Sequence, residues 1–127
     1  MNDFQEIKET LLVLEEDLDK YEYIMSLSEY LPVFDEKNKK DKYRVYGCQS
    51  RVWCYVADDG TFRFTTESKL VGGLLHILLT RFDNTCLKNQ TQEDFDEFMS
   101  ALPIGNKITM QRQTGLQSAF DKMRKTI

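Results

Sequence analysis

A thiol beside a glycine is the feature of this chain with the clearest chemical potential: Cys48, in the run Val45-Tyr46-Gly47-Cys48-Gln49-Ser50-Arg51-Val52-Trp53. The thiolate is the reactive form of cysteine, and neighbouring positive charge favours it. Gly47 can take a positive φ and so suits a tight turn that aims the next side chain outward. Tyr43 to Val45 reads as a short extended run. Ser50 to Val56, rich in β-branched and aromatic residues, reads as a strand. Cys48 therefore falls on a loop tip with rigid flanks, the usual mount for a reactive group. The competing reading is a small apolar residue, because free cysteines are most often buried and inert. The polar Gln49, Ser50 and Arg51 argue against burial, and local chemistry leaves both readings standing.

The remaining sulfur and imidazole groups narrow the chemistry. Cys48, Cys54 and Cys86 form an odd, sparse set that suits a reducing compartment better than a disulfide framework. There is no Cys-x-x-Cys, and the one histidine is His76. A zinc or iron–sulfur site would need ligands gathered from distant segments, so no metal site is expected. A net charge of -4 argues against nucleic-acid binding, which needs a basic face to replace counterions. No apolar run is long enough to cross a membrane. The acidic opening Met1-Asn2-Asp3-Phe4-Gln5-Glu6 lacks the basic and apolar regions of a signal peptide, so a cytoplasmic chain is the expectation. At 127 residues, 41% apolar and 30% charged, residues 1–127 read as one globular domain.

The elements that must position Cys48 follow from periodicity. Phe4, Ile7, Leu11, Leu14 and Leu18 repeat at helical spacing, with Asp3 as N-cap. A second helix is predicted from Asp19 to Leu31, where Pro32 disfavours helix for the preceding residue. Pro32 to Lys42 reads as a polar loop whose Lys37, Lys39, Lys40 and Lys42 are either simply solvated or able to steer an acidic partner. The strand at Arg51–Ala57 turns at Asp58-Asp59-Gly60 and returns as Thr61–Thr65. Alternation puts Val52, Cys54 and Val56 on one face, which makes Cys54 a core residue, and Trp53 and Tyr55 on the other. A helix over Lys69–Phe82 carries an apolar side of Leu70, Val71, Leu74, Leu75, Leu78 and Phe82, with Gly72, Gly73 and His76 opposite. Each of those glycines costs about 1 kcal/mol in a helix relative to alanine. Close approach of the Cys48 loop is the expected compensation. Thr91 and Asp94 open a further helix in capping-box fashion. Thr109 is the expected N-cap of a terminal helix packed through Leu116, Ala119, Phe120, Met123 and Ile127. Arg112, near the start of that helix, faces the positive end of its dipole, a cost that an adjacent anion would offset.

Gly47-Cys48-Gln49-Ser50-x-Val52-Trp53 resembles the signature of the SufE family of cysteine desulfuration proteins. Val71-Gly72-Gly73-Leu74-Leu75 is similar to that family's Val-Lys-Gly-Leu-Leu helix start, and Arg112-Gln113-Thr114-Gly115-Leu116 to its Ser-Arg-x-x-Gly-Leu segment. Lys20-Tyr21-Glu22-Tyr23-Ile24 and Leu31-Pro32 match the opening helices. Gly72 stands where the family has lysine and Gln111 where it has serine, so the roles of those two side chains do not transfer. The resemblance implies an α+β fold, a small curved three-stranded antiparallel sheet packed against about five helices, as in SufE and IscU. It also implies that Cys48 accepts persulfide sulfur from a pyridoxal-phosphate cysteine desulfurase of the SufS kind. The sulfur would then pass to an iron–sulfur scaffold complex containing SufB. The chain would be an accessory carrier and desulfurase activator, not an enzyme in its own right, with no cofactor. Arg112 would lie beside the reactive cysteine, Glu67 would occupy the position of a family aspartate near it, and Gly47, Gln49, Ser50, Gly72 and Gly73 would shape the loop and its partner face. Three other functions compete. A metal scaffold would use Cys48 with Cys86, His76 or Asp83. A hydrolase would pair Cys48 with His76, although helical phase sets His76 on the solvated side. A plain interaction module would make Cys48 incidental.

Overall fold

The computed structural model describes residues 3–47, 49–83, 87–104 and 110–126. Helix α1 (Phe4–Val13) starts where expected: the Asp3 carboxylate accepts the Glu6 amide at 2.9 Å. It buries Ile7 and Leu11 but stops at Val13, short of the expected stripe. Leu14 is already extended, and Leu18 is 66% exposed near the start of α2 (Asp17–Leu27). The run Glu15-Glu16-Asp17 explains the break. Carboxylates oppose the negative end of one helix and favour the positive end of the next. After α2, Ser28–Tyr30 forms a 3-10 turn, and Leu31 is extended ahead of Pro32.

Strands β1 (Arg44–Val45), β2 (Val52–Val56) and β3 (Phe62–Thr66) form an antiparallel sheet in that order. The register sets Val45 opposite Val52 and Trp53 opposite Thr65. Gly60, at φ +85°, makes the β2–β3 turn, where the Asp59 carboxylate accepts the Thr61 amide. Val52 and Cys54 are buried on the inner face, as alternation requires. The outer face is covered by the segment expected to be a polar loop. It contains two 3-10 turns, Glu36–Asn38 and Asp41–Tyr43. Its Phe34 ring meets Tyr55 edge-on at 4.9 Å, Tyr43 lies 5.8 Å from the same ring, and the Tyr55 hydroxyl accepts the Asp35 amide. Two aromatic anchors among the lysines are enough to hold this segment down.

Helix α3 (Lys69–Phe82) is the centre of the packing and meets α1, α2 and β3. Both of its glycines are buried against α2 and the turn after it, not against the Cys48 loop as expected. A Cβ at Gly73 would lie 1.7 Å from the Ile24 carbonyl oxygen, and one at Gly72 would lie 2.9 Å from the Ser28 Cβ. His76 shares that crowding: it is half-buried, with its ring 5.6 Å from Tyr30, so the expectation of a solvated side chain fails. Two helices meeting across glycines approach closer than periodicity alone suggests. Helix α4 (Gln92–Ala101) opens with the expected Thr91–Asp94 capping box. Its Phe95 and Phe98 join Phe82 and Phe120 in an aromatic cluster with ring centroids 4.9 to 5.9 Å apart. Helix α5 (Met110–Thr126) buries Leu116, Ala119, Phe120 and Met123 and packs on β1, β2 and α3. The expected Thr109 cap lies outside the described residues. The architecture is the expected α+β arrangement, with five α-helices and a three-stranded open sheet among the described residues. No helix among them is long and apolar enough to cross a membrane.

Candidate functional site

Cys48 and Cys86 lie outside the described residues, so the site is built from what flanks Cys48. Gly47, the last described residue before it, has φ +101°. A Cβ there would come 2.5 Å from the Ser118 Oγ and 3.9 Å from the Thr114 Cγ2. Glycine is thus required twice, by its own backbone and by the helix against which it rests. Thr114 and Ser118 stand one turn apart on α5 and form a seat for the residue that precedes the thiol. Sequence reasoning placed the close approach at Gly72 and Gly73 and missed this seat. Its only sequence signal is a pair of small polar residues at i and i+4, just outside the buried stripe of α5.

Beyond Cys48, Gln49 is exposed and Ser50 half-buried in a bend. Arg51 then donates from Nε and Nη2 to the two carboxylate oxygens of Glu67, at 2.7 and 2.6 Å. That hydrogen bond is the main reason the Glu67 carboxyl is held below its ordinary range and the Arg51 guanidinium above its own. With more than half of each side chain exposed, the pair adds little stability. Its consequence is geometric: the end of the loop is tied to the residue after β3. Glu67 and Gly72 also line one cleft of about 290 Å³, with Ser28, Leu31 and Phe34 on its other walls. Gly72 is therefore near Glu67, even though its own packing is against the turn after α2.

Trp53 collects positive charge. Lys39 Nζ and the guanidinium carbons of Arg44 and Arg51 lie 5.6, 5.4 and 5.5 Å from an indole that is only 8% exposed. Arg44 also stacks on Tyr46, which is 64% exposed immediately before Gly47. Two of these cations, Arg44 and Arg51, bracket the cysteine in sequence, and Lys39 comes from the covering segment, so the lysine-bearing stretch is more than solvated charge.

Arg112 is half-buried in the first turn of α5. It stands four residues before Leu116 and seven before Ala119, so it extends the buried stripe of α5. Thr114, two residues on, is roughly 200° away around the helix. The seat of Gly47 and the face that carries Arg112 are different sides of α5.

The other candidate groups are occupied elsewhere. Cys54 is 1% exposed, and burial pushes its thiol up to about 12 against the partial pull of Lys122. It is inert at neutral pH. The Asp83 carboxylate accepts the Phe62 amide at 3.2 Å, and its own burial raises its pKa. His76 packs on Tyr30.

The SufE family model, described as an Fe-S metabolism associated domain, matches residues 5–127 of this chain. The cysteine desulfuration protein SufE of Wigglesworthia glossinidia brevipalpis is 29% identical, over 85% of this chain and 78% of that protein. The sulfur acceptor protein CsdE of Escherichia coli is 30% identical, over 88% of this chain and 79% of its own length. An uncharacterized SufE-like protein of Rhizobium etli is 24% identical, over 98% of this chain and 88% of that protein.

Proposed function

This chain belongs to the SufE family, and from that premise we propose that it accepts sulfur from a cysteine desulfurase onto Cys48. The names of its relatives, a desulfuration protein and a sulfur acceptor, support the reading. In the proposed step the Cys48 thiolate attacks the outer sulfur of a persulfide on the donor enzyme. The donor's sulfur–sulfur bond breaks, a new one forms on Cys48, and the donor cysteine leaves as a thiolate. The step is an exchange with no net oxidation, of the kind that governs thiols and disulfides. What it asks of the acceptor is reach, since the thiol must enter another protein's active site.

The observation that carries the proposal is Gly47. A left-handed hinge resting on α5 sits directly before the thiol. Arg51 is tied to Glu67 on the far side of the same loop. The residues on both sides of the thiol are thus anchored, one on α5 and one on Glu67. Arg112 is proposed to stabilise the Cys48 anion before and after transfer. Gln49 and Ser50 would meet the donor. The sulfur would pass on to an iron–sulfur scaffold complex containing SufB, with this chain acting as a cytoplasmic carrier that needs no cofactor of its own.

The test is incubation with a SufS-type desulfurase and cysteine, followed by mass spectrometry. One added sulfur should map to Cys48. Cys48→Ala should abolish both the adduct and the stimulation of the desulfurase. Arg112→Lys keeps the charge and should retain more transfer than Arg112→Ala. Wild-type protein that gains no sulfur would end the reading.

A further inference from the structure

Beside the Gly47 seat, α5 and the edge strand β1 enclose a cleft of about 330 Å³. Arg44 and Tyr46 form one wall, and Ser118, Asp121, Lys122 and Lys125 form the other. Its charge runs against that of the molecule. The chain carries a net -4, whereas the cleft sets Arg44, Lys122 and Lys125 against the single carboxylate of Asp121. That carboxylate is engaged along its own helix, where it accepts Gln117 Nε2 at 3.1 Å. Lys122 donates to the Lys42 carbonyl at 3.0 Å. Lys125 is exposed. The Arg44 guanidinium stacks on Tyr46 beside the cleft.

We propose that this cleft receives an acidic segment of the sulfur-donor enzyme. A positive concavity on an acidic protein attracts carboxylates and orients the protein that carries them. Tyr46, a large exposed aromatic at the rim, supplies the apolar contact that such interfaces favour. Ser118 gives the cleft its particular value, because it is both a cleft wall and the atom group against which Gly47 rests. A segment seated there touches the hinge of Cys48, so docking and presentation of the thiol share one residue. The inference rests on the sulfur-acceptor reading and adds the chemistry of the docking surface.

The experiment compares wild type with Lys125→Glu and Lys122→Glu/Lys125→Glu in steady-state sulfur transfer from a purified SufS-type desulfurase, at low and at high salt. Lys8→Glu, outside the cleft and equal in charge change to Lys125→Glu, is the control for net charge. The cleft variants should raise the KM for the acceptor about tenfold or more, leave kcat close to wild type and flatten the salt dependence, with Lys8→Glu unchanged. A separate reaction of Cys48 with a small-molecule persulfide should be equal in all four proteins. If wild type takes sulfur from the enzyme but the cleft variants keep its KM and salt response, the cleft proposal is overturned and the acceptor reading stands. If wild type takes none, the acceptor reading fails first. A cleft variant that alters self-association while its KM holds would mark the surface as a contact between copies, and would also overturn the proposal.

Discussion

Cys54 lies six residues beyond Cys48, and its burial decides its chemistry. Cys54 faces the core between valines, where water cannot solvate a thiolate, so its proton stays on to about pH 12. An unfolded thiol with the ordinary value of 9.0 loses its proton earlier. Between those values the folded state binds more protons than the unfolded state, and stability must fall as pH rises through the window. Below it this residue gives no pH dependence. The slope is at most about 1.4 kcal/mol per pH unit. Cys54→Val, close in volume and without a proton to lose, should flatten this alkaline decline; urea midpoints at about pH 8 and about pH 10 for both proteins measure it. Iodoacetamide applied to the native protein at neutral pH should leave Cys54 unmodified. Glu67 makes the opposite case. Its depressed pKa gives the Arg51 pair a contribution that is present at neutral pH and lost as acid protonates the carboxylate, but the exposure of the pair keeps that contribution small. Glu67→Ala should therefore leave the melting temperature nearly unchanged while altering the alkylation rate of Cys48. An unaltered rate would remove Glu67 from the site.

At the level of elements, glycines decide how closely the helices meet. Gly73→Ala would drive a Cβ into the backbone carbonyl of Ile24, which neither helix can relieve by a rotamer change. A loss of about 3 kcal/mol, the upper end of ordinary overpacking, is expected from thermal or urea unfolding. Gly72→Ala meets only the Ser28 Cβ at 2.9 Å, and a shift of the short 3-10 turn can relieve it, so its loss should be markedly smaller. Equal losses at the two positions would contradict this packing. The same two residues mark where the sequence stops being legible. Strand alternation, the Asp3 cap, the Thr91 capping box and the inward Cys54 all depend on near neighbours, and each appears where the pattern puts it. The partner of a helical glycine depends on which distant helix crosses it. The break at Val13 was missed because the spacing of Leu14 and Leu18 outweighed the three acidic residues between them. The segment before β1 looked polar because its lysines outnumber Phe34 and Tyr43, the two residues that anchor it.

Across the whole molecule, the candidate site is a junction between the hairpin side of the chain and its last helix. Its turn is legible locally, because the positive φ of Gly47 needs only a glycine at that position. Its seat is not, since Ser118 lies some seventy residues away and comes close only because α5 packs on β1 and β2. The junction makes a prediction that neither half makes alone. Gly47→Ala suffers two penalties, a backbone conformation that alanine resists and a Cβ 2.5 Å from the Ser118 Oγ. The first should cost more than about 1 kcal/mol wherever the loop remains in place. The second disappears in Ser118→Ala, because the next atom, the Ser118 Cβ, is 3.5 Å away in ordinary contact. Adding Ser118→Ala to Gly47→Ala should therefore recover part of the lost stability and part of the native alkylation rate of Cys48, but not all of either. The two substitutions should be non-additive, as residues in direct contact are. Strict additivity would mean that Gly47 does not rest on α5 in solution, and the seat that couples docking to the thiol would be lost with it. Full recovery would mean that the left-handed turn carries no strain and that any residue could serve as the hinge.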